Sequence, residues 1–345
     1  MSLKFLDFCA GIGSTRIALE RVGATCVGFS EIDSRAEKTY RLFFGEHETN
    51  YGDLMQIDPQ QLPDFDIMLG GFPCQTFSII GQRAGMEDNR GKVILGLAQI
   101  LQIKQTRYLM LENVKGLLNH NNGQTIADVV SLLKSIGYDV DFRLMRSMEF
   151  GIPQKRERVF IVGVRSNSGS LNDIFERIDH RRTLRPLTDF LIDREPERIL
   201  NLNSAKGRTF QEYLNNKYNQ DRIETNDLLR QELLVVDTRQ SDIRLYHGCV
   251  PTLRTGRHGI YYVLNGQLRA LSGMEALLLQ GFPLDLASLA SKTFSQQALL
   301  AQAGNAMTIP VVEAVAQSMV MSSMQKIDRK TVRKRPTSQQ FALAS

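Results

Sequence analysis

Near its start the chain reads FLDFCAGIGS, from Phe5 to Ser14, and an amphipathic segment follows from Thr15 to Val22. The apolar run predicts a strand, the glycines predict a tight turn, and the next segment predicts a helix. A strand that enters a helix through a glycine turn is typical of nucleotide-binding α/β folds. The same turn is as often a backbone necessity as a ligand site, so its meaning depends on the rest of the chain.

The first half of the chain has a regular rhythm. From Met1 to about Val164, short apolar runs alternate with segments of helical period at 34–44, 93–103 and 125–136. This alternation predicts an α/β fold with a doubly wound, mostly parallel sheet and helices on both faces. Glu31 and Asp53 each follow a strand-like run, so we expect both at the sheet edge where such folds bind ligands.

The rhythm stops at about Ser166. Residues 179–235 are dense in charge, and residues 236–264 alternate like a small β region, before Pro310 opens an apolar helix. We therefore predict a second, smaller domain. The expected parts are a first domain at 1–178, the smaller domain at 179–283, a return segment at 284–326 that completes the first domain, and a basic, disordered tail at 327–345.

Composition limits the class of protein. The 345 residues suffice for a large core, and the cysteines and histidines have neither disulfide-like nor metal-ligand spacing. No uninterrupted apolar run approaches the ~18 residues of a membrane span. We expect a reduced, cytoplasmic protein that holds no metal and contacts no membrane.

The net charge of +5 lies in the tail, where six basic residues between Lys326 and Arg335 face the single acid Asp328. The rest of the chain is neutral overall, so any affinity for nucleic acid must come from local clusters. For the tail itself, a solvated end is favoured over a phosphate-binding arm.

A cysteine follows a strand at an unusual place. Gly71-Phe72-Pro73-Cys74-Gln75 comes directly after the apolar run 65–69, so Cys74 lies on a proline-rigidified turn. A thiolate there could act as a nucleophile. A lone cysteine is more often a buried structural residue, and only its neighbours favour the reactive interpretation.

Two further motifs follow in order, Glu112-Asn113-Val114 and Gln154-Lys155-Arg156-Glu157-Arg158. Together with the glycine turn, the Pro-Cys turn, residues 279–283 (LQGFP) and residues 302–305 (QAGN), the chain closely resembles cytosine-C5 DNA methyltransferases of the bacterial and phage type. The resemblance covers most of the chain apart from a central stretch and the tail. It implies a Rossmann-like methyltransferase fold, with the smaller domain recognising the target.

The resemblance also implies a catalytic set. Cytosine C5 is a poor nucleophile until a thiolate adds at C6, and Cys74 is the candidate for that thiolate. Glu112 would donate a proton at N3, Arg158 would neutralise charge at O2, and Arg156 would brace the Cys74 loop or a phosphate. Without Cys74, a surface carboxylate and a salt-bridged arginine would be the simpler interpretations.

The methyl donor implied is S-adenosylmethionine. In the family pattern the loop from Asp7 to Gly13 faces the methionine part, Glu31 binds the ribose hydroxyls and Asp53 the adenine amino group. The full set of expected cofactor residues is Asp7, Phe8, Ala10, Gly11, Gly13, Glu31, Ile32, Asp53, Leu54, Phe72, Pro73 and Asn305. Cys9 and Ile32 replace the family's aromatic rings, so adenine stacking is expected to be weaker or to come from Phe72.

The substrate implied is double-stranded DNA with the target base flipped out, since C5 is out of reach inside a duplex. The loop from Gln75 to Lys92 would close over the site. Expected DNA contacts are Gln75, Ser78 and Arg90 in that loop, and Arg239, Arg244, Thr252, Arg254 and Arg257 in the smaller domain. Leu278, where the family has an arginine, belongs to a segment interpreted as scaffolding.

Two other functions stay open at this point. The tRNA methyltransferases similar to this family keep the same catalytic residues, although Gly71-Phe72-Pro73-Cys74 lacks their usual second proline and the large 179–283 insert favours DNA. A DNA-binding protein with a dead site is the other alternative, which the intact Cys74, Glu112 and Arg158 disfavour. We expect a monomer, which a restriction endonuclease of the same system could accompany without contact.

Overall fold

The computed structural model describes residues 2–72, 92–166, 171, 174–178, 182–220, 222–256 and 258–332, with the backbone alone for 322–332. The strands are β1 (Lys4–Phe8), β2 (Thr25–Ser30), β3 (Ile67–Gly71), β4 (Tyr108–Val114), β5 (Tyr138–Arg146), β6 (Gln154–Lys155), β7 (Glu157–Arg165), β8 (Leu234–Asp237), β9 (Arg244–His247), β10 (Val250–Pro251), β11 (Ile260–Leu264) and β12 (Gln267–Ala270). The α-helices are α1 (Ser14–Arg21), α2 (Ser34–Phe44), α3 (Lys92–Lys104), α4 (Gln124–Ser135), α5 (Ala205–Leu214), α6 (Thr225–Leu229), α7 (Gly273–Leu278), α8 (Leu284–Thr293), α9 (Gln296–Asn305) and α10 (Ile309–Val332).

The first half of the chain forms a six-stranded sheet in the order β2-β1-β3-β4-β7-β5. The pairs β1–β2, β1–β3 and β3–β4 are parallel, whereas β7 runs antiparallel to both β4 and β5. The predicted mostly parallel α/β sheet is therefore confirmed. Its parallel strands end at a common edge, which brings the segments after β1, β2 and β3 together.

Side chains alternate between two cores, one on each face of this sheet. In β3, Ile67 and Leu69 face one core and Met68 the other, and in β4 Met110 and Leu109 separate in the same way. Helices α1 and α10 cover the first face, and α3 and α4 cover the second. Both faces are buried, which explains why these strands read as continuous apolar runs and not as alternating ones.

The smaller domain has a sheet and a core of its own. Strands β12-β11-β8-β9 form an antiparallel sheet, and its apolar side packs on α5 and α6. This core uses residues from 210 to 268, a narrower span than the predicted 179–283. The flanking residues Leu187, Phe190, Leu277 and Phe282 lie in the core of the first domain, because α7 and the turn near 187–191 pack there.

The return segment completes the first domain, with α10 packed against α1. One stretch in the described part of the chain, Gln296–Met321, has the length and hydropathy of a membrane span, and 61% of it is buried inside the fold. The backbone of α10 continues to Val332. Residues 327–332, expected to be disordered, are thus helical, since Arg329 and Lys330 favour helix and no proline intervenes before Pro336.

Candidate active site

A cavity of about 910 Å³ opens at the carboxyl ends of β1, β2 and β3, and we call it the central cavity. Most of the residues expected to bind a cofactor line it: Ala10, Gly11, Glu31, Ile32, Asp53, Leu54, Phe72 and Asn305. Phe8 is instead fully buried in the core that α3 covers. Pro73 lies outside the described residues. The fold thus brings together residues from five segments that are far apart in the chain.

Glu31 is the most firmly held side chain of the central cavity. Its Oε2 accepts a hydrogen bond from the backbone N–H of Gly11 at 2.7 Å, and its Oε1 accepts from those of Ile32 and Asp33 at 2.8 Å each. Three backbone donors fix the carboxylate, and the second lone pair of Oε2 stays available to a hydroxyl donor. The glycine turn therefore has two roles: it reverses the chain, and its Gly11 N–H holds Glu31.

Asp7 lies behind the cavity and not on its wall. Its carboxylate is buried and accepts a hydrogen bond from the hydroxyl of Thr15, which does line the cavity. Burial, and then the nearby Glu31 carboxylate, raise the pKa of Asp7 to about 7 despite the Thr15 hydrogen bond. The expectation that Asp7 faces the ligand directly is corrected: it holds Thr15.

Gly13 has a backbone role. Its φ of 81° lies in the left-handed region and precedes α1, and a Cβ there would lie 2.3 Å from a ring atom of Phe44. Any larger residue would therefore disturb the start of α1. Gly13 shapes the turn that presents Gly11, without lining the cavity itself.

The cavity has a second carboxylate, Asp53, beside apolar surface. Asp53 accepts from the backbone N–H of Met55 at 2.9 Å and from Nε2 of Gln56 at 3.2 Å. Ile32, 75% exposed, lies on the same wall. Cys9 is open to the cavity, yet burial by the surrounding protein and the nearby Glu31 carboxylate raise the pKa of its thiol to about 12. Cys9 is thus a neutral contact surface, not a reactive group.

Glu112 lines the central cavity, and Arg158 lies against Glu112. Glu112 projects from β4 onto the cavity wall, and its Oε1 is 2.8 Å from Nε of Arg158 on β7. The contact is an ion pair without the alignment of a hydrogen bond, and both side chains are largely buried. Beside them Asn113 donates its Nδ2–H to the carbonyl of Phe72 at 2.8 Å, which fixes the residue before Pro73.

Comparison with known proteins decides what this site belongs to. Residues 3–321 match the family model of the C-5 cytosine-specific DNA methylases. The chain belongs to this family. It is similar to the Type II methyltransferases M.NgoBI of Neisseria gonorrhoeae, 37% identical over 90% of this chain and 91% of that protein, and M.HaeII of Haemophilus aegyptius, 33% identical over 92% and 93%.

Solved structures agree on the fold. The Schizosaccharomyces pombe (S. pombe) Dnmt2 methyltransferase superposes with a TM-score of 0.64 at 16% identity, covering 94% of this chain and 99% of that one. A putative DNA modification methyltransferase encoded within an Escherichia coli prophage gives 0.65 at 20% identity, covering 93% and 99%. The protein is thus a DNA (cytosine-5)-methyltransferase. Its family and fold imply a reaction that depends on S-adenosylmethionine.

Arg156 of this methyltransferase was expected to brace the Cys74 loop, which lies outside the described residues, or a phosphate. It is only 2% exposed and donates to three carbonyls: Leu253 at 3.1 Å, Gly304 at 3.2 Å and Ala306 at 2.8 Å. Burial and the neighbouring Arg158 lower its pKa to about 9. A phosphate contact is therefore wrong for this residue, because its guanidinium is enclosed. Among the described residues it braces the segments at 253 and 304–306.

The arginines of the smaller domain fall into two groups. Arg239 is enclosed and pairs with Asp237 through two bonds, Nε–Oδ1 at 2.7 Å and Nη2–Oδ2 at 2.8 Å, and its Nη1 donates to the carbonyl of Thr252. This geometry does not support the expected DNA contact of Arg239, because the fork of its guanidinium already binds Asp237. Arg244 and Arg254 are exposed.

Arg244 and Arg254 border a recess of about 110 Å³ that we call the basic recess. Lys155 and Thr252 line it too, and the Thr252 hydroxyl donates to the carbonyl of Lys155. Four expected contacts, Gln75, Ser78, Arg90 and Arg257, lie outside the described residues, as does Cys74. The described candidates for DNA contact are therefore Arg244, Arg254 and the neighbouring Thr252.

Sequence reasoning missed several residues of the central cavity: Ser14, Thr15, Lys92, Thr255 and Met307. Ser14 and Thr15 directly follow the glycine turn, so their place in the motif was a usable signal. Thr255 and Met307 had none, because they reach the cavity from segments far away in the chain. Met307 donates its backbone N–H to Oγ of Ser14 at 3.1 Å, which closes this side of the cavity.

Proposed function

We propose that this DNA (cytosine-5)-methyltransferase methylates a cytosine that is flipped out of a short duplex sequence, through a covalent adduct between Cys74 and C6. The observation that carries the proposal is the continuity of the central cavity. One wall holds the carboxylates Glu31 and Asp53, and the same cavity extends to Phe72 and Glu112. A methyl donor and a target ring could therefore meet within this one cavity. Its lining reaches Phe72, which precedes Cys74 by two residues in the sequence.

The residues of the central cavity fit S-adenosylmethionine. Glu31, held by three backbone donors, keeps an acceptor on Oε2 that suits a hydroxyl of a ribose. Asp53 offers acceptors to an amino group, while Ile32, Leu54 and Phe72 supply apolar surface for a flat base. When bound, the cofactor supplies an electrophilic methyl group on a sulfonium. The pocket's own task is to orient that methyl group and exclude water from it.

The chemistry at the ring divides among three side chains. Addition of the Cys74 thiolate to C6 pushes electrons towards C5, and negative charge accumulates at N3 and O2. Glu112 would hydrogen-bond N3 and Arg158 would face O2, so both act where charge develops. Their 2.8 Å contact supports this assignment, because it holds the two groups side by side, and Glu112 would need to carry a proton to donate at N3. After methyl transfer, loss of the C5 proton and of the thiolate releases the product.

The names of the relatives also indicate the kind of system in which the enzyme acts. M.NgoBI and M.HaeII are named Type II methyltransferases. We infer that a restriction endonuclease of the same specificity accompanies this enzyme in the cytoplasm without forming part of its fold. DNA from cells that express the protein should then resist cleavage at the methylated sequence.

The deciding experiment maps methylated cytosines in DNA from expressing cells and then traps the enzyme. A duplex carrying the mapped sequence with 5-fluorocytosine at the target should bind the protein irreversibly in the presence of S-adenosylmethionine, because fluorine blocks loss from C5. Cys74→Ala should give no adduct, and Cys26→Ala, whose thiol contacts the Gly28 carbonyl and Tyr40, should give the normal yield. An adduct in Cys74→Ala, or methyl transfer to RNA alone, would refute the proposal.

A further inference from the structure

Residues 252–255 connect the two sites described above, and we call them the connecting segment. The segment directly follows β10, which pairs in parallel with β6, so the smaller domain joins the first domain here. Arg254 lines the basic recess, whereas the next residue, Thr255, lines the central cavity. Adjacent residues thus face the candidate DNA surface and the candidate cofactor site.

The connecting segment is held from both domains. Gln154 Oε1 accepts the backbone N–H of Leu253 at 3.1 Å, and Arg156 donates to the Leu253 carbonyl. From the other side, Arg239 donates to the Thr252 carbonyl at 3.0 Å. Buried hydrogen bonds of this kind leave the segment few alternative positions.

The segment also packs directly on the end of α9. A Cβ on Gly304 would lie 2.4 Å from the carbonyl carbon of Arg254 and 2.4 Å from the nitrogen of Thr255, so the two backbones are in contact with no room for a side chain. The following residue, Asn305, lines the central cavity. Displacement of Arg254 or Thr255 would therefore be transmitted to the cavity wall, because close-packed backbones cannot absorb it.

We propose that Thr255 is a cofactor-contacting residue supplied by the smaller domain, and that the connecting segment couples cofactor binding to DNA binding. The second half rests on the proposed function and on DNA contact at the basic recess, whereas the first half rests only on cofactor binding in the central cavity. Thermodynamic linkage requires the coupling to be reciprocal: DNA strengthens cofactor binding by the same factor by which the cofactor strengthens DNA binding. Loss of the Thr255 contact should reduce both factors equally.

The first test needs no DNA. S-adenosylhomocysteine, the donor after methyl transfer, is titrated into the full-length protein by calorimetry. We expect Thr255→Ala to raise Kd about fivefold, as for loss of one net contact of ~1 kcal/mol, and Thr255→Ser to retain most of the affinity. Thr209→Ala, exposed on α5 with its hydroxyl on the Ala205 carbonyl, is the matched control and should bind normally. Unchanged affinity in Thr255→Ala would overturn the cofactor contact.

The chain contains no tryptophan, which provides a second readout. Thr255→Trp would introduce a single indole at an exposed position, so the fold should tolerate it. Its emission should change on addition of S-adenosylhomocysteine, whereas that of Thr209→Trp should not. Identical responses of the two variants would count against the assignment.

The coupling is measured as the Kd for S-adenosylhomocysteine without DNA divided by the Kd with a saturating duplex of the mapped sequence. Thr255→Ala should lower this ratio at least threefold, and the reciprocal titration of DNA should give the same change. A merely structural role would weaken both titrations and leave the ratio intact, which would refute the coupling. If the protein methylates no DNA, the proposed function fails, while the DNA-free titrations still decide the Thr255 contact.

Discussion

The central cavity and the basic recess hold their charged groups in opposite ways. In the cavity, backbone N–H groups fix Glu31, and Asp53 has the N–H of Met55 and the Gln56 amide. In the recess, Arg239 is fixed by Asp237, whereas Arg244 and Arg254 are exposed, with Arg244 Nε 3.6 Å from the exposed carboxylate of Asp242. A cofactor is the same molecule in every turnover, so a rigid site suits it, while a surface that tests different sequences benefits from long, adaptable side chains.

The largest effects should come from the three proposed catalytic residues. Cys74→Ala should abolish methyl transfer, and Glu112→Gln and Arg158→Ala should each slow it by about 10²-fold or more, the usual scale for one group that stabilises the transition state. Single-turnover rates on the mapped duplex measure this, with circular dichroism to verify the fold. Near-normal rates for either variant would remove that residue from the catalytic set.

Arg239 tests this comparison most directly. It lines the basic recess, yet its guanidinium is fixed by Asp237, much as Glu31 is fixed in the central cavity. Arg239→Ala leaves Asp237 buried without its partner, and we expect a loss of about 3–5 kcal/mol in unfolding free energy. Denaturant titration measures it, with the exposed Arg244→Ala as the control expected to stay within ~0.5 kcal/mol. Equal unfolding free energies for Arg239→Ala and Arg244→Ala would mean that the pair with Asp237 does not hold Arg239, which would leave its guanidinium free to contact DNA.

Asp7, buried behind the central cavity, provides the matching test for that side of the comparison. Its carboxyl pKa is raised in the folded state from 3.8 to about 7, so folding favours the protonated form and stability falls as pH rises through this window. The loss amounts to at most about 4 kcal/mol. Asp7→Asn should flatten the decline in unfolding free energy between pH 4 and 7, whereas Asp64→Asn, at a fully exposed side chain, should leave it unchanged. The same slope in Asp7→Asn as in the wild type would contradict this.

The smallest expected effect concerns sequence preference. An exposed arginine that reads a base should cost ~1–3 kcal/mol on removal and relax preference at one position, whereas one that holds a phosphate should weaken all sites alike. We expect Arg254→Ala or Arg244→Ala to give the first pattern. Methylation rates on duplexes with single base changes decide it. If both variants lose methylation rate equally on every duplex, the bases are read outside the basic recess.

Local patterns determined a large part of this molecule. The alternation of apolar runs and helical segments predicted the α/β sheet, and it placed Glu31 and Asp53 at the edge where such sheets bind ligands. These inferences succeed because each depends on residues close together in the chain. Parallel strands then bring their carboxyl ends to one edge by geometry alone.

Tertiary structure decided which charged side chains are free and which distant residues share a site. Sequence alone treated Arg239 and Arg254 alike, and the fold buries one against Asp237 and exposes the other. It also turned Asp7 away from the cavity, enclosed Arg156 among carbonyls and brought Thr255 to the central cavity. Burial and long-range contact depend on the packing of the whole chain, and neither periodicity nor motif spacing contains that information.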